Sequence, residues 1–192
     1  EWQSQKEKSL VTIKNDRKTY KYVLSENGKH RALNSVGVLA CIHALGLDIE
    51  RAAETFKKIA TPIGRGGQSN IPLPNGGAFC LIDESYNASP VAMKAAFSVM
   101  KTIKPDVGGR KLIVIGDMLE LGDNASKLHT ELLEDLMAIK PDIVFTVGKL
   151  MLELSKLIPH ELRGGHGKKS SDIANEVAGE IRAGDLVLVK GS

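Results

Sequence analysis

The sequence predicts an α/β chain in which a parallel-sheet domain follows the tail of another domain, made of a hairpin and two helices. Three observations predict it. From about residue 79 onward, short continuous apolar runs alternate with amphipathic helical stretches, the pattern of strands covered on both faces. The first sixty residues run in a different order, β-prone segments and then helices. Between them, Thr61-Pro62-Ile63-Gly64-Arg65-Gly66-Gly67 combines a proline with three glycines, the composition of a hinge, so the domains are expected at 1–62 and 63–192.

Ser9–Ile13 and Thr19–Leu24 read as two strands joined by the polar turn Lys14-Asn15-Asp16-Arg17. A lone hairpin is marginal in water, so the chain is expected to begin inside a domain. A helix is predicted from about His30 to Leu45, with Leu33, Val36, Ala40 and Ala44 on its buried face. A second runs from about Ile49 to Ala60, with Asp48 as N-cap and Ile49, Ala52, Ala53, Phe56 and Ile59 at helical spacing.

Phe79–Ile82 is the next strand, and Ser89-Pro90 then opens a helix as N-cap and first-turn proline, burying Met93, Ala96, Phe97, Met100 and Ile103. Strand Leu112–Ile115 leads to a helix marked by Leu128, Leu132, Leu136 and Ile139. Strand Ile143–Val147, a short helix from Leu150 to about Leu157 and a glycine-rich loop at Arg163–Gly167 follow. Ile173, Val177 and Ile181 mark the last helix, before strand Leu186–Val189.

Composition narrows the function. Apolar content of 42% and charged content of 26% are those of a folded globular chain. The net charge of +3 is spread too thinly for a nucleic-acid surface. No apolar run approaches the roughly 18 residues of a membrane span, and no signal peptide is evident, so a cytoplasmic location is expected. Cys41 and Cys80 lie in apolar surroundings, as buried thiols do, and the five histidines show no metal-ligand spacing; no metal site is expected in the chain. No apolar stripe is left over by the proposed sheet, which points to a monomer. Neither a G-x-x-x-x-G-K-[ST] loop nor a G-x-G-x-x-G following a strand is present.

In an open parallel sheet, ligands bind at the carboxyl ends of the strands. The four exits read Asp83-Glu84-Ser85-Tyr86-Asn87, Gly116-Asp117, Gly148-Lys149 and Lys190-Gly191-Ser192. Carboxylates accept from hydroxyls, lysine meets phosphate or carboxylate, and glycine lets a backbone come close. Together they suit a polar, anionic ligand with sugar-like hydroxyls. Arg65 suits phosphate, because its planar fork can form two parallel charge-assisted bonds from a glycine-rich segment free to swing.

Five segments occur in order: Gly28-Lys29-His30-Arg31-Ala32-Leu33-Asn34, Gly64-Arg65-Gly66, Leu81 to Pro90, Val114 to Gly122, and Val187 to Ser192. With these motifs the sequence resembles the Mur ligase family, and within it the ligases that add D-alanyl-D-alanine to UDP-N-acetylmuramoyl-tripeptide in peptidoglycan precursor synthesis. Ser85-Tyr86-Asn87-Ala88 and Gly116-Asp117-Met118-Leu119-Glu120-Leu121-Gly122 are its most specific parts.

The resemblance implies that residues 1–62 are the end of a central ATP-binding domain and residues 63–192 a Rossmann-like C-terminal domain, cut after Ser192. It implies ATP-driven amide formation, in which the peptide carboxylate takes the γ-phosphoryl group and the dipeptide amine attacks the resulting acyl phosphate. Arg65 is then the catalytic phosphate clamp, and Asn34, Arg65, Asp83, Glu84 and Asn87 face the nucleotide. Asn34 would lie near the adenine, and the acidic pair at the ribose, with Glu84 standing where the family more often has aspartate. Tyr86, Lys190 and Ser192 would approach the substrates.

The phosphate loop, the UDP-sugar site and the residues that chiefly hold magnesium would lie upstream, so the chain alone is expected to be inactive. Two alternatives stay open: a folylpolyglutamate-type ligase of the same superfamily, and a free-standing module that binds nucleotide or dipeptide without catalysis.

Overall fold

The computed structural model describes residues 1–5, 8–14, 18–25, 28–59 and 63–192, omitting the side chains of Ser4, Gln5 and His30. The chain divides into two compact units, Glu1–Thr61 and Pro62–Ser192. The expected turn at Asn15–Arg17 and Thr61-Pro62 of the expected hinge fall outside the described residues, whereas the second helix, expected to reach about Ala60, ends at Thr55 and gives way to a 3-10 turn over Phe56–Lys58, with Ile59 extended and exposed.

In the first unit, β1 (Trp2–Gln5), β2 (Lys8–Lys14) and β3 (Thr19–Leu24) form an antiparallel sheet in that order. The sequence reading has two of these strands. Trp2–Gln5 is short and mostly polar, and its pairing with β2 is long-range information that alternation cannot carry. Val11, Tyr22 and Leu24 project from one face onto α1 (Lys29–Ala44) and α2 (Ile49–Thr55), where Ala32, Leu39 and Ala53 complete the core. The rings of Tyr22 and Phe56 stack at 5.4 Å. Asp48 caps α2 as expected, accepting from the N–H groups of Glu50 at 2.9 Å and Arg51 at 3.1 Å.

The buried face of α1 is offset from the expected one. It carries Ala32, Ser35 and Leu39, with Val36 half-buried, while Leu33 is 62% exposed and Ala40 and Ala44 face outward. Ser35 explains the offset. Its hydroxyl donates to the Ala32 carbonyl at 2.8 Å and accepts from the Tyr22 hydroxyl at 2.7 Å, so a polar residue sits at the centre of the packed stripe. An apolar pattern passes over such a residue. Cys41, expected to be buried, turns outward with the same rotation, and Cys80 is half-buried.

The second unit is built on a six-stranded sheet of β4 (Gly67–Pro72), β5 (Ala78–Glu84), β6 (Lys111–Gly116), β7 (Ile143–Val147), β8 (Arg163–Gly167) and β9 (Leu186–Lys190). The order is β4-β5-β9-β6-β7-β8, with only the β4–β5 pair antiparallel. Chain order runs outward from β6 to β8, and β9 then returns between β5 and β6, so the topology switches at the middle of the sheet. Helices α3 (Pro90–Thr102), α4 (Ala125–Thr130), α5 (Leu133–Met137) and α6 (Met151–Leu157) share one core with Ile82, Ile113, Ile115, Val144, Leu186 and Leu188. Helix α7 (Ser170–Glu180) follows the one connection that runs in the reverse direction, and packs on β7 and β8. Right-handed crossovers require that reversal to place a helix on the opposite face.

Two departures from the sequence reading have packing causes. Arg163–Gly167, glycine-rich enough to read as a loop, is an edge strand. A Cβ on Gly164 would fall 2.5 Å from the Phe145 ring, so the missing side chain is what lets β8 lie against the side chains of β7. Strand β4 has little apolar content beyond Ile71 and suits a sheet edge, where polar residues discourage further pairing.

Candidate functional site

The sheet order sets the exits of β5, β9, β6 and β7 side by side, with Glu84 in register with Lys190, Lys190 with Ile115, and Gly116 with Val147. At the β5 exit the chain turns at Ser85-Tyr86. Asp83 shapes that turn: its Oδ1 accepts from the Ser85 N–H at 3.1 Å and the Ser85 hydroxyl at 2.6 Å. This is the local bonding that makes aspartate a turn residue, and it leaves Oδ2 open to a further donor.

Lys190 is 2% exposed at the end of β9. Its ammonium donates to Glu84 Oε2 at 3.2 Å and to the Asn87 carbonyl at 3.1 Å. The pair crosses two adjacent parallel strands and fixes the segment after β5. Ser192 extends the link, since its hydroxyl accepts from the Ala88 N–H at 2.8 Å and lies 3.3 Å from Asn87 Oδ1. Asn87 and Ser192 are thus joined at the carboxyl ends of β5 and β9.

Arg65 belongs to the same edge. The segment read as free to swing is bonded to the β5 exit on both sides of the arginine. Gly66 N–H donates to the Asp83 carbonyl at 2.6 Å, and Tyr86 N–H donates to the Gly64 carbonyl at 3.1 Å, prolonging the β4–β5 pairing. Gly64 is required there: its φ is +75°, and a Cβ would sit 3.0 Å from both Tyr86 N and Tyr86 Cβ. The guanidinium of Arg65 lies over the Tyr86 ring, 4.0 Å from its centre.

Of the residues singled out from sequence, the second unit therefore gathers Arg65, Asp83, Glu84, Tyr86, Asn87, Lys190 and Ser192. Asn34 is exposed on α1 of the first unit. A three-part geometry results at the β5 and β9 exits: a stacked guanidinium with free edges, a carboxylate with an open oxygen, and a wall of amide and hydroxyl groups. Such a set can grip an anionic group and an adjacent hydroxyl.

A family model described as "Mur ligase, glutamate ligase domain" matches residues 74–192, well over half of the chain. The chain belongs to the Mur ligase family. Among curated Mur ligases, the UDP-N-acetylmuramoyl-tripeptide–D-alanyl-D-alanine ligase of Rickettsia prowazekii (strain Madrid E) is 35% identical over 164 residues, which cover 85% of this chain and 35% of that protein. The enzyme of the same name from Bacillus subtilis (strain 168) is 31% identical over 168 residues, covering 86% of this chain and 35% of its own length. The chain thus spans about a third of these relatives. In fold it is similar to the MurF ligase of Thermotoga maritima, solved in complex with ADP, with a TM-score of 0.76 and 22% identity over all of this chain and 42% of that one.

Within this Mur ligase chain, two residues at the exits do work that the sequence reading did not assign. Asp117, read as a free carboxylate after β6, accepts from the backbone N–H groups of Met151 at 2.7 Å and Leu150 at 3.2 Å, at the start of α6. An acid followed at a distance by an uncapped helix start carries no local signal. His129 is fully buried, and its Nε2 accepts from the Met118 N–H at 2.9 Å. That bond places the ring proton on Nδ1, which lies 2.6 Å from the Ala125 carbonyl. The histidine thereby ties the loop after β6 to α4.

Proposed function

We propose that this chain is the C-terminal part of an ATP-dependent ligase that joins D-alanyl-D-alanine to UDP-N-acetylmuramoyl-tripeptide. The observation that carries this reading is the 35% identity, over 85% of the chain, to a curated ligase of that name. ADP in the similar Thermotoga maritima enzyme supports the choice of nucleotide. The agreement of the curated relatives in name favours this ligase over the folylpolyglutamate type and over a binding module without catalysis.

The residues of this chain fit a nucleotide at the crevice. Arg65 supplies two or more N–H donors in one plane for a phosphate, and Asp83 Oδ2 can accept from a ribose hydroxyl. The Glu84 carboxylate is paired with the buried Lys190 ammonium, whereas among the described residues the Asp83 carboxylate bonds only neutral groups of Ser85, so we take Asp83 as the ribose ligand of the pair. Lys190 holds Glu84 and the Asn87 carbonyl in place from within, and approaches the substrates only through them. Tyr86, Asn87 and Ser192 line the side from which the dipeptide would enter. Asn34, on the first unit, carries an amide that both donates and accepts, the chemistry an adenine edge takes.

Catalysis on this reading is positioning and neutralisation of phosphate charge, which fixed donors do well because they need no reorganisation during reaction. Magnesium would accompany the nucleotide. We place its ligands mainly upstream of this chain. Among the described residues no helix is long and apolar enough to cross a membrane. We take the enzyme to be cytoplasmic, as ligases acting on UDP-linked precursors are, and monomeric.

The test is dipeptide-dependent release of ADP by the full-length protein supplied with UDP-N-acetylmuramoyl-tripeptide. Formation of the amide product is the expected result. ATP binding without product, or product only with glutamate and a folate, would replace this reading with one of the two alternatives. The chain of 192 residues alone is expected to show no turnover, since it has no loop to cradle the β- and γ-phosphates.

A further inference from the structure

We infer that Tyr86 is a positioning residue for Arg65: its ring is a fixed platform that holds the guanidinium at the β5 exit before any ligand arrives. The kinetic part of this inference rests on the ligase reading above, and the structural part does not.

A free arginine side chain samples many rotamers and loses about 2 kcal/mol of that freedom when a ligand fixes it. Here the freedom is reduced in advance from two directions. The backbone on either side of Arg65 is bonded to Asp83 and Tyr86 through Gly66 and Gly64. The guanidinium then lies 4.0 Å above the Tyr86 ring. A ring in this position covers one face of the guanidinium and leaves its edges open, and the edges carry the N–H groups that bind phosphate or carboxylate. Tyr86 is 65% exposed, so burial does not explain its place. Its own backbone N–H provides one of the two bonds that set the Arg65 segment, which joins platform and arginine in one rigid turn.

A positioning ring makes a different prediction from a ligand-contacting hydroxyl. Tyr86→Leu removes the ring, and Tyr86→Phe keeps it without the hydroxyl. In the full-length ligase, Tyr86→Leu is expected to lower kcat and kcat/KM together by about two- to fivefold, the worth of an exposed cation–π contact. Tyr86→Phe is expected to restore most of that loss. In an Arg65→Lys background, Tyr86→Leu should add little further loss, because the planar group it positions is gone.

The deciding measurement is magnetic resonance on the full-length protein without ligands. Arg65 δ-methylene and Nε–H signals should be displaced upfield by the Tyr86 ring and return to ordinary positions in Tyr86→Leu, with the thermal midpoint unchanged. Arg65 signals at ordinary positions in the unmutated chain would overturn the inference. So would a Tyr86→Phe variant as impaired as Tyr86→Leu, which would assign the hydroxyl to a ligand instead. If the unmutated full-length protein makes no amide, the ligase reading fails, and the upfield displacement alone decides the positioning claim.

Discussion

At the amino ends of β9 and β6, Asp185 and Arg110 close completely on each other, whereas at the carboxyl end of the neighbouring β5, Asp83 and the adjoining Arg65 leave positions open. Asp185 is 1% exposed and accepts from Arg110 N–H at 2.9 Å, from Arg110 Nη2 at 2.9 Å and from Arg182 N–H at 2.8 Å. Arg110 also donates to the Glu180 carbonyl and pairs with its carboxylate at 3.5 Å. At the other edge, Lys190 and Glu84 pair internally, but among the described residues the Arg65 guanidinium meets only the Tyr86 ring and Asp83 engages one of its two oxygens. The comparison separates two uses of charge in one sheet. A saturated cluster fixes strand order, and an unsaturated one has valences left for a ligand.

The largest effect expected from this contrast is at the saturated end. Asp185→Ala removes the acceptor of several donors at once and should destabilise the chain by roughly 3–5 kcal/mol in urea unfolding, as breaking a buried pair from one side does. The same cluster should show in acid. Burial pushes the Asp185 carboxyl up, but hydrogen bonds from the Arg110 side chain and from the Arg182 and Arg110 N–H groups, with the Arg110 charge, together hold it below its ordinary 3.8. A carboxyl so lowered binds fewer protons folded than unfolded. Its contribution is therefore complete above the unfolded value and is lost as pH falls through the folded one. Unfolding midpoints that fall equally with acid in Asp185→Asn and the parent would break this account.

Lys190→Met is next in size. It leaves Glu84 and the Asn87 carbonyl without their donor and should cost about 2–3 kcal/mol, measured the same way. His129→Leu should cost about 1–2 kcal/mol by stranding the buried Met118 N–H, and His129→Gln should recover part of it, because a side-chain amide oxygen can accept there. Equal losses in the two variants would show that ring packing, and not the bond to Met118, holds the loop.

These clusters also mark how far the sequence could be read. The parallel strands β5, β6, β7 and β9 and helix α3 were legible because apolar runs, the Ser89 cap and Pro90 are local signals, and the cap is present, with Ala92 N–H donating to Ser89 Oγ at 3.3 Å. The Mur ligase motifs brought the exits of β5 and β9 into view. What escaped depended on partners distant in the chain. Strand β8 looked like a loop until Phe145 packed over Gly164, and the buried side of α1 turned on Ser35 meeting Tyr22. Arg65 read as part of a loose hinge because nothing in Gly64-Arg65-Gly66 announces its bonds to Asp83 and Tyr86. Asp117 and His129, each reaching a backbone group more than ten residues away, left no pattern at all.

The smallest effect on stability is expected at Arg65, and the largest on turnover. In the full-length enzyme, Arg65→Lys keeps the charge and loses the planar fork, so the unfolding free energy should stay within about 0.5 kcal/mol of the parent. Steady-state kinetics on the same two proteins should show kcat and kcat/KM falling together by roughly ten- to a hundredfold, the worth of one charge-assisted hydrogen bond made in the transition state. Near-normal kinetics at unchanged stability would contradict the account, returning Arg65 to an exposed arginine stacked on a tyrosine and the crevice to a sheet edge without a phosphate clamp.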